Sequence, residues 1–230
     1  MFNSIKIICF DADDTLWQNE QMFRETERRF YALLAAYGAP KHIQAQLLAV
    51  EIKNMPLYGY GIKAFTLSMI ETALKISEGR VAPADIAQIL DYCQEMLNRP
   101  LTLLEGAEDT LQKLSAKYKL VVATKGDLLD QERKIAASGL LKYLHHVEIM
   151  SDKNVKAYQK LIKYLGVKPG EFLMAGNSLK SDILPVLEAG AKAIHIPHPD
   201  TWEYERIDPQ DLKDKSFTVV ENIKDILKIL

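Results

Sequence analysis

Cysteine is nearly missing: Cys9 and Cys93 are the only two in 230 residues, too few and too far apart for a disulfide framework or a metal-type pair. Both fall in apolar patterns, where a free thiol acts as a small buried hydrophobe, and a reducing, cytoplasmic setting is expected. Basic tracts are absent as well. Lys and Arg total 29 against 31 Asp and Glu, for a formal net charge of -2, so a nucleic-acid partner is not expected. No apolar run approaches the roughly 20 residues of a membrane helix. Residues 1–14, MFNSIKIICFDADD, meet a charge at Lys6 and acids from Asp11 onward, so neither a leader nor a membrane anchor is expected there. His145, His146, His195 and His198 do not stand at ligand spacing with one another and read as structural or surface groups.

What is present is 48% hydrophobic and 26% charged residues, enough for one sizeable core and a smaller second unit. Residues 5–15, IKIICFDADDT, mark the working end. Ile5, Ile7, Ile8, Cys9 and Phe10 form a nearly continuous apolar run, as expected for a strand buried on both faces of a parallel sheet. Asp11, Asp13 and Asp14 follow at once. Carboxylates so crowded are tolerated where they face a cation or an open crevice, and open α/β sheets bind ligands at the carboxyl ends of their strands. The plain alternative is a solvated acidic turn, and Asp14 is read that way, as a turn or helix-start acid.

Residues 16–37, 42–52, 64–76 and 84–97 carry helical periodicity, punctuated by Pro56, Gly59, Gly61, Gly79, Pro83 and Pro100. With no strand pattern among them, an all-helical unit of about eighty residues is expected directly after the first strand. From Leu101 the pattern alternates, with strands expected at 120–123, 146–150, 172–175, 193–196 and 217–220. Helices are expected at 105–117, 128–138, 155–165, 183–188 and 223–230. The expected fold class is α/β: a doubly wound, Rossmann-like parallel sheet from residues 1–16 and 99–230, with a helical cap domain inserted over residues 17–98.

Right-handed crossovers bring the strand ends to one edge, which gathers Asp11 and Asp13, then Thr124, then the lysines Lys153 and Lys156, then Asn177, Ser178 and Asp182. That set suits phosphoryl transfer. A carboxylate can be the nucleophile and carry an aspartyl-phosphate, several carboxylates can hold Mg²⁺ with its preference for hard oxygen, and a hydroxyl and an ammonium can bind the equatorial oxygens.

The succession DADDT, a strand ending in Thr124, a lysine, and GNSLKSD, with a helical insertion after the first motif, resembles the haloacid dehalogenase superfamily of phosphatases with a helical cap. The resemblance covers residues 5–196. It implies that Asp11 is the nucleophile and that Asp13 protonates the leaving alcohol and then activates water, its backbone carbonyl on the metal. It further implies that Thr124 binds the transferring phosphoryl group, Lys153 neutralises it, and Asp182 completes a Mg²⁺ site with Asp11 and Asp13.

Two departures stand out. Many relatives have an acid where this chain has Asn177, so one metal ligand would be neutral, and the proline that often follows the motif lysine is missing. Lys153 and Lys156 therefore compete, with Lys153 favoured as nearer the strand end. Lys125, Asn177 and Ser178 are placed beside the phosphate site as supporting groups, although Ser178 also suits an N-cap and Lys125 and Lys180 suit solvated positions.

In the cap, residues 56–63, PLYGYGIK, read as a flexible loop with aromatic faces and one cation, suited to close over a leaving group. Tyr58, Tyr60 and Lys63 are the substrate-contact candidates, and a small phosphorylated metabolite is the expected partner. A buried helix connection is the alternative for this piece. Residues 196–205, IPHPDTWEYE, are placed near the same sheet edge, for the site or for packing alone. Three rival activities fit part of the pattern: a phosphosugar mutase, a 2-haloacid dehalogenase that needs no metal, and a non-enzymatic phospho-acceptor switch. The long helical insertion argues against the last.

Overall fold

The computed structural model describes residues 2–213 and 215–230. Six strands, β1 (Ile7–Phe10), β2 (Lys119–Lys125), β3 (Leu144–Met150), β4 (Phe172–Gly176), β5 (Lys192–His195) and β6 (Thr218–Val219), form one sheet. Its order is β3-β2-β1-β4-β5-β6, and every pairing is parallel. This is the doubly wound arrangement, in which the chain steps outward from β1 on one side and then restarts beside it on the other.

β1 and β4 are buried along their whole length because each face carries its own core. Ile8, Phe10, Leu120, Val122, Leu173 and Ile194 point to one side, with Trp17 and Leu111. Ile7, Cys9, Val121, Phe172 and Met174 point to the other, against Tyr158 and Val186. The covering helices include α5 (Ala107–Ser115), α6 (Leu128–Ser138), α7 (Val155–Tyr164) and α8 (Leu184–Glu188). A π turn, Leu179–Ile183, precedes α8, and the terminal helix is a short 3-10 segment, Ile223–Lys228.

The chain divides into two compact units. The sheet unit comprises Met1–Glu20, Leu101–Lys125 and Gln131–Leu230, and the second comprises Gln21–Pro100 with Gly126–Asp130. The second is helical over α1 (Glu20–Leu33), α2 (Pro40–Tyr58), α3 (Ile62–Ile76) and α4 (Pro83–Asn98). Its core is separate, built on Phe30, Leu34, Ile43, Leu47, Phe65, Met69 and Ile89. No helix among the described residues is long and apolar enough to cross a membrane.

The structure corrects two local expectations. The first helix begins at Glu20, not at residue 16, because Leu16 and Trp17 are drawn into the sheet core and Trp17 bridges Leu103. The loop expected over residues 56–63 shrinks to a three-residue turn, since α2 continues through Pro56 to Tyr58 and α3 restarts at Ile62. Pro56 costs a helix one hydrogen bond, which the last turn tolerates. Gly61 is required in the turn: its φ of +104° is poorly suited to other residues, and a Cβ there would meet the Asp127 amide nitrogen at 3.1 Å.

Candidate active site

β1 ends at Phe10, and the Asp11 amide continues the ladder by donating to the Ala175 carbonyl (2.9 Å). The chain then turns tightly, with the Ala12 carbonyl accepting from the amides of Thr15 and Leu16 (3.2 and 2.8 Å). The turn leaves Asp11 buried, with one carboxylate oxygen held by the Thr15 hydroxyl (2.9 Å). The other accepts from Lys153 Nζ at 2.5 Å.

Lys153 lies just beyond β3 and is 4% exposed, and Asp182, from the turn after β4, is 0% exposed. The lysine's second bond is to Asp182 Oδ1 (2.7 Å), so one ammonium joins two buried carboxylates. Burial opposes its charge, but Asp11 and Asp182 outweigh that and raise its pKa above the ordinary lysine range. For Asp11 burial dominates: together with the neighbouring Asp182 carboxylate, and against the pull of Lys153, it pushes the pKa up to about 7. Lys156 is exposed on α7, so only Lys153 is brought to the acids.

Asp182 is held from behind. Its Oδ2 accepts from the Ser178 amide (3.0 Å), and it packs so closely on Gly176 that a Cβ there would fall 2.4 Å from Oδ2. We expect Gly176→Ala to displace Asp182 and reduce turnover by about tenfold or more while the far-ultraviolet circular dichroism stays unchanged. Unaltered turnover would mean that the backbone yields without moving the acid.

Asp13 faces three donors: Trp17 Nε1 (2.6 Å), Lys134 Nζ (2.9 Å) and Gln131 Nε2 (3.1 Å). The Gln131 amide also donates to the Thr124 hydroxyl (2.5 Å) and so joins the ends of β1 and β2. Asp14 turns away to the amides of Asn19 (2.8 Å) and Glu20 (3.0 Å). Burial raises it to about 6.

The other residues singled out from the sequence are placed as follows. Ser178 N-caps the turn after β4 by accepting from the Ser181 amide (3.0 Å). Lys125 bonds Ser181 Oγ (2.9 Å) and Glu205, so its charge is committed to a neighbouring carboxylate. Asn177 presents its backbone carbonyl to His195 Nε2 (3.0 Å). In the helical unit, Tyr58 ends α2 with half its surface exposed, Tyr60 lies in the Gly59–Gly61 turn, and Lys63 pairs with Asp127 (2.9 Å).

Sequence reasoning missed Thr15, Trp17, Gln131, Lys134 and Glu205. Gln131 and Lys134 had a signal, since a polar pair at i and i+3 on a helix directly after a strand ending in Thr124 shares one face. Glu205 had none.

No three Asp, Glu, His or Cys side chains among the described residues close into a ready metal cage. The donor chemistry nevertheless suits a hard cation. Asp11 and Asp182 supply two buried carboxylates against one ammonium, the surplus negative charge helps to hold a proton on Asp11, and an ion that keeps several waters needs few protein ligands.

A family model described as haloacid dehalogenase-like hydrolase matches residues 5–190. The N-acylneuraminate-9-phosphatase of Homo sapiens is 26% identical over 200 residues, 82% of this chain and 81% of that one. The glyceraldehyde 3-phosphate phosphatase of Pyrococcus furiosus is 25% identical over an alignment of 240 positions that spans 98% of this chain and 93% of that one. Among solved structures, a haloacid dehalogenase-like family hydrolase from Xanthomonas campestris is 35% identical with a TM-score of 0.85, over 96% of this chain and 88% of that one.

Proposed function

Because the chain belongs to the haloacid dehalogenase-like hydrolases, we propose that it is a Mg²⁺-dependent phosphatase acting on a small phosphorylated metabolite through an aspartyl-phosphate on Asp11. The observation that carries this reading is the convergence of Asp11 and Asp182 on the buried Lys153, with Thr124 and Asp13 tied together through Gln131. The similarity to two phosphatases named for small phosphorylated compounds supports the substrate class.

In the first step an Asp11 carboxylate oxygen bonds to phosphorus, the ester P–O bond breaks, and Asp13 gives its proton to the departing alkoxide. In the second, ionised Asp13 takes a proton from a water whose oxygen attacks the same phosphorus. The bond between Asp11 and phosphorus breaks, restoring the carboxylate and freeing phosphate. Lys153 and Thr124 bind the equatorial oxygens as charge spreads over them. Asp11 and Asp182 would hold the Mg²⁺, with the Asp13 backbone carbonyl and the neutral Asn177 side chain as further oxygens. When bound, the ion supplies the positive charge that lets an anionic nucleophile meet an anionic phosphate.

Groups that touch only phosphate cannot choose among metabolites, so discrimination is assigned to the helical unit, with Tyr58, Tyr60 and Lys63 as the residues for it. Two family alternatives remain distinct in outcome. A mutase would convert a hexose phosphate into its isomer without free phosphate, and a dehalogenase would release halide from a 2-haloacid without metal. Family membership leaves the phospho-acceptor switch without support.

The test is turnover of a chromogenic phosphate ester with Mg²⁺, abolished by EDTA, followed by a panel of phosphorylated metabolites. Asp13→Asn should slow esters with poor leaving alcohols more than a nitrophenyl ester, because only the former need a proton. Metal-independent halide release, or an equal loss across all leaving groups, would overturn the corresponding part of the proposal.

A further inference from the structure

Glu205 has no part in the chemistry above, yet it is a carboxylate only 8% exposed. It lies in the Glu203–Glu205 turn, beyond β5, and all its partners are polar. Lys125 holds one oxygen, while the hydroxyls of Ser178 and Ser181 hold the other, Ser181 at 2.7 Å. Lys125 also donates to Ser181 Oγ (2.9 Å). Burial opposes the charge on Glu205, but Lys125 and the two hydroxyls prevail and hold its pKa below the usual glutamate range. The preceding residue is fastened too: the Tyr204 carbonyl accepts from Lys180 (2.9 Å), whose ammonium lies 3.2 Å from the Tyr204 ring centroid.

A buried ion pair adds little net stability over an apolar replacement, because desolvation offsets the attraction. Where every member of such a network is satisfied, its effect is to fix one geometry. What this one fixes follows from its contacts. Lys125 is the residue after Thr124. Ser178 caps the turn that carries Asp182 and Ser181 lies within it, and the Ser178 amide bonds the Asp182 carboxylate directly (3.0 Å). The Tyr158 hydroxyl holds the Ser181 carbonyl on the other side (3.0 Å). One carboxylate from a distant segment thus braces the end of β2 and the Asp182 turn against each other.

We propose that Glu205 is a positioning residue for the divalent-cation site: with Lys125, Ser178 and Ser181 it sets where Asp182 stands relative to Asp11. It touches neither acid and acts through Ser178. The inference rests on the reading that Asp11 and Asp182 hold a cation. Partners that orient a metal's ligands typically carry 10- to 100-fold in affinity.

The experiment titrates Mg²⁺ against the melting temperature of the full chain at about pH 8, a readout that needs no turnover. Glu205→Gln keeps shape and volume but removes the charge, and should raise the half-saturating Mg²⁺ concentration by about tenfold or more. Lys125→Met should shift it in the same direction. The double variant should be little worse than either single one, because the pair acts as a unit. Glu205→Asp, one methylene too short to span all three partners, should fall between, and it decides the matter if Glu205→Gln does not fold. A lowered melting temperature with unchanged half-saturation would make Glu205 a fastening for its own loop and overturn the proposal, as would a wild-type protein indifferent to Mg²⁺. A wild type that binds Mg²⁺, responds to Glu205→Gln and hydrolyses no phosphate ester would sink the phosphatase reading and leave this inference standing.

Discussion

Lys153→Met is expected to abolish measurable turnover and, in the metal-free protein near neutral pH, to destabilise the sheet unit by about 3–5 kcal/mol. Both effects share one cause. The ammonium is the common partner of Asp11 and Asp182 (2.5 and 2.7 Å). Without it two buried carboxylates are left with uncompensated charge, and in the proposed mechanism the equatorial phosphate oxygens lose their cation. The stability loss should shrink at lower pH, where protonation relieves the carboxylates. Lys156→Met, on the exposed face of α7, should change stability by no more than about 0.5 kcal/mol and leave turnover intact. Denaturant melts and initial rates on both variants decide between the two lysines, and equal effects would refute the assignment to Lys153.

Asp11→Asn should lower turnover by about a thousandfold or more, since an amide cannot carry the phosphoryl group. Its effect on stability has the opposite sign to that of Lys153→Met at high pH. Burial raises the Asp11 pKa from 3.8 in the unfolded chain to about 7 in the folded one, so the folded state binds a proton that the unfolded state has released. The associated stability is fully present below about pH 4 and is lost as pH rises through about 7. Asp11→Asn has no such proton to lose. In metal-free buffer its melting temperature should therefore gain on that of the wild type between about pH 5 and pH 8. In the proposed site Mg²⁺ binds the ionised Asp11 and so displaces the same proton, and it should stabilise the wild type more at about pH 8 than at about pH 5. Calorimetry in the two buffers checks both statements, and a pH-independent gap between variant and wild type would mean that Asp11 is ionised throughout.

The elements of the sheet were readable because their local signals agree. β1 shows as an apolar run ending in acids, and α6 as a periodic segment closed by Gly139. Residues 16–19 misled because Leu16 and Trp17 fit a helical period and are apolar. Their destination, the sheet core beside Leu103, is a long-range contact that periodicity does not encode. Residues 56–63 misled for the converse reason: proline and two glycines read as a loop, whereas α2 tolerates Pro56 in its last turn.

By itself the sequence determined the fold class and the residue types that could meet at one sheet edge, because burial on both faces forces an apolar run and a parallel sheet brings its strand ends together. Only the tertiary structure decided which lysine reaches the acids and that Gln131 and Lys134 attend Asp13. It gave Asp14, read from the sequence as a turn or helix-start acid, its partners in the amides of Asn19 and Glu20, and it alone turned Lys125 toward a carboxylate 80 residues away. The physical reason is that a strand end specifies a neighbourhood, while the partner of a buried charge is set by desolvation. Each buried charge must find its counter-charge or hydrogen bond within about 3 Å, and that distance depends on elements far apart in the chain.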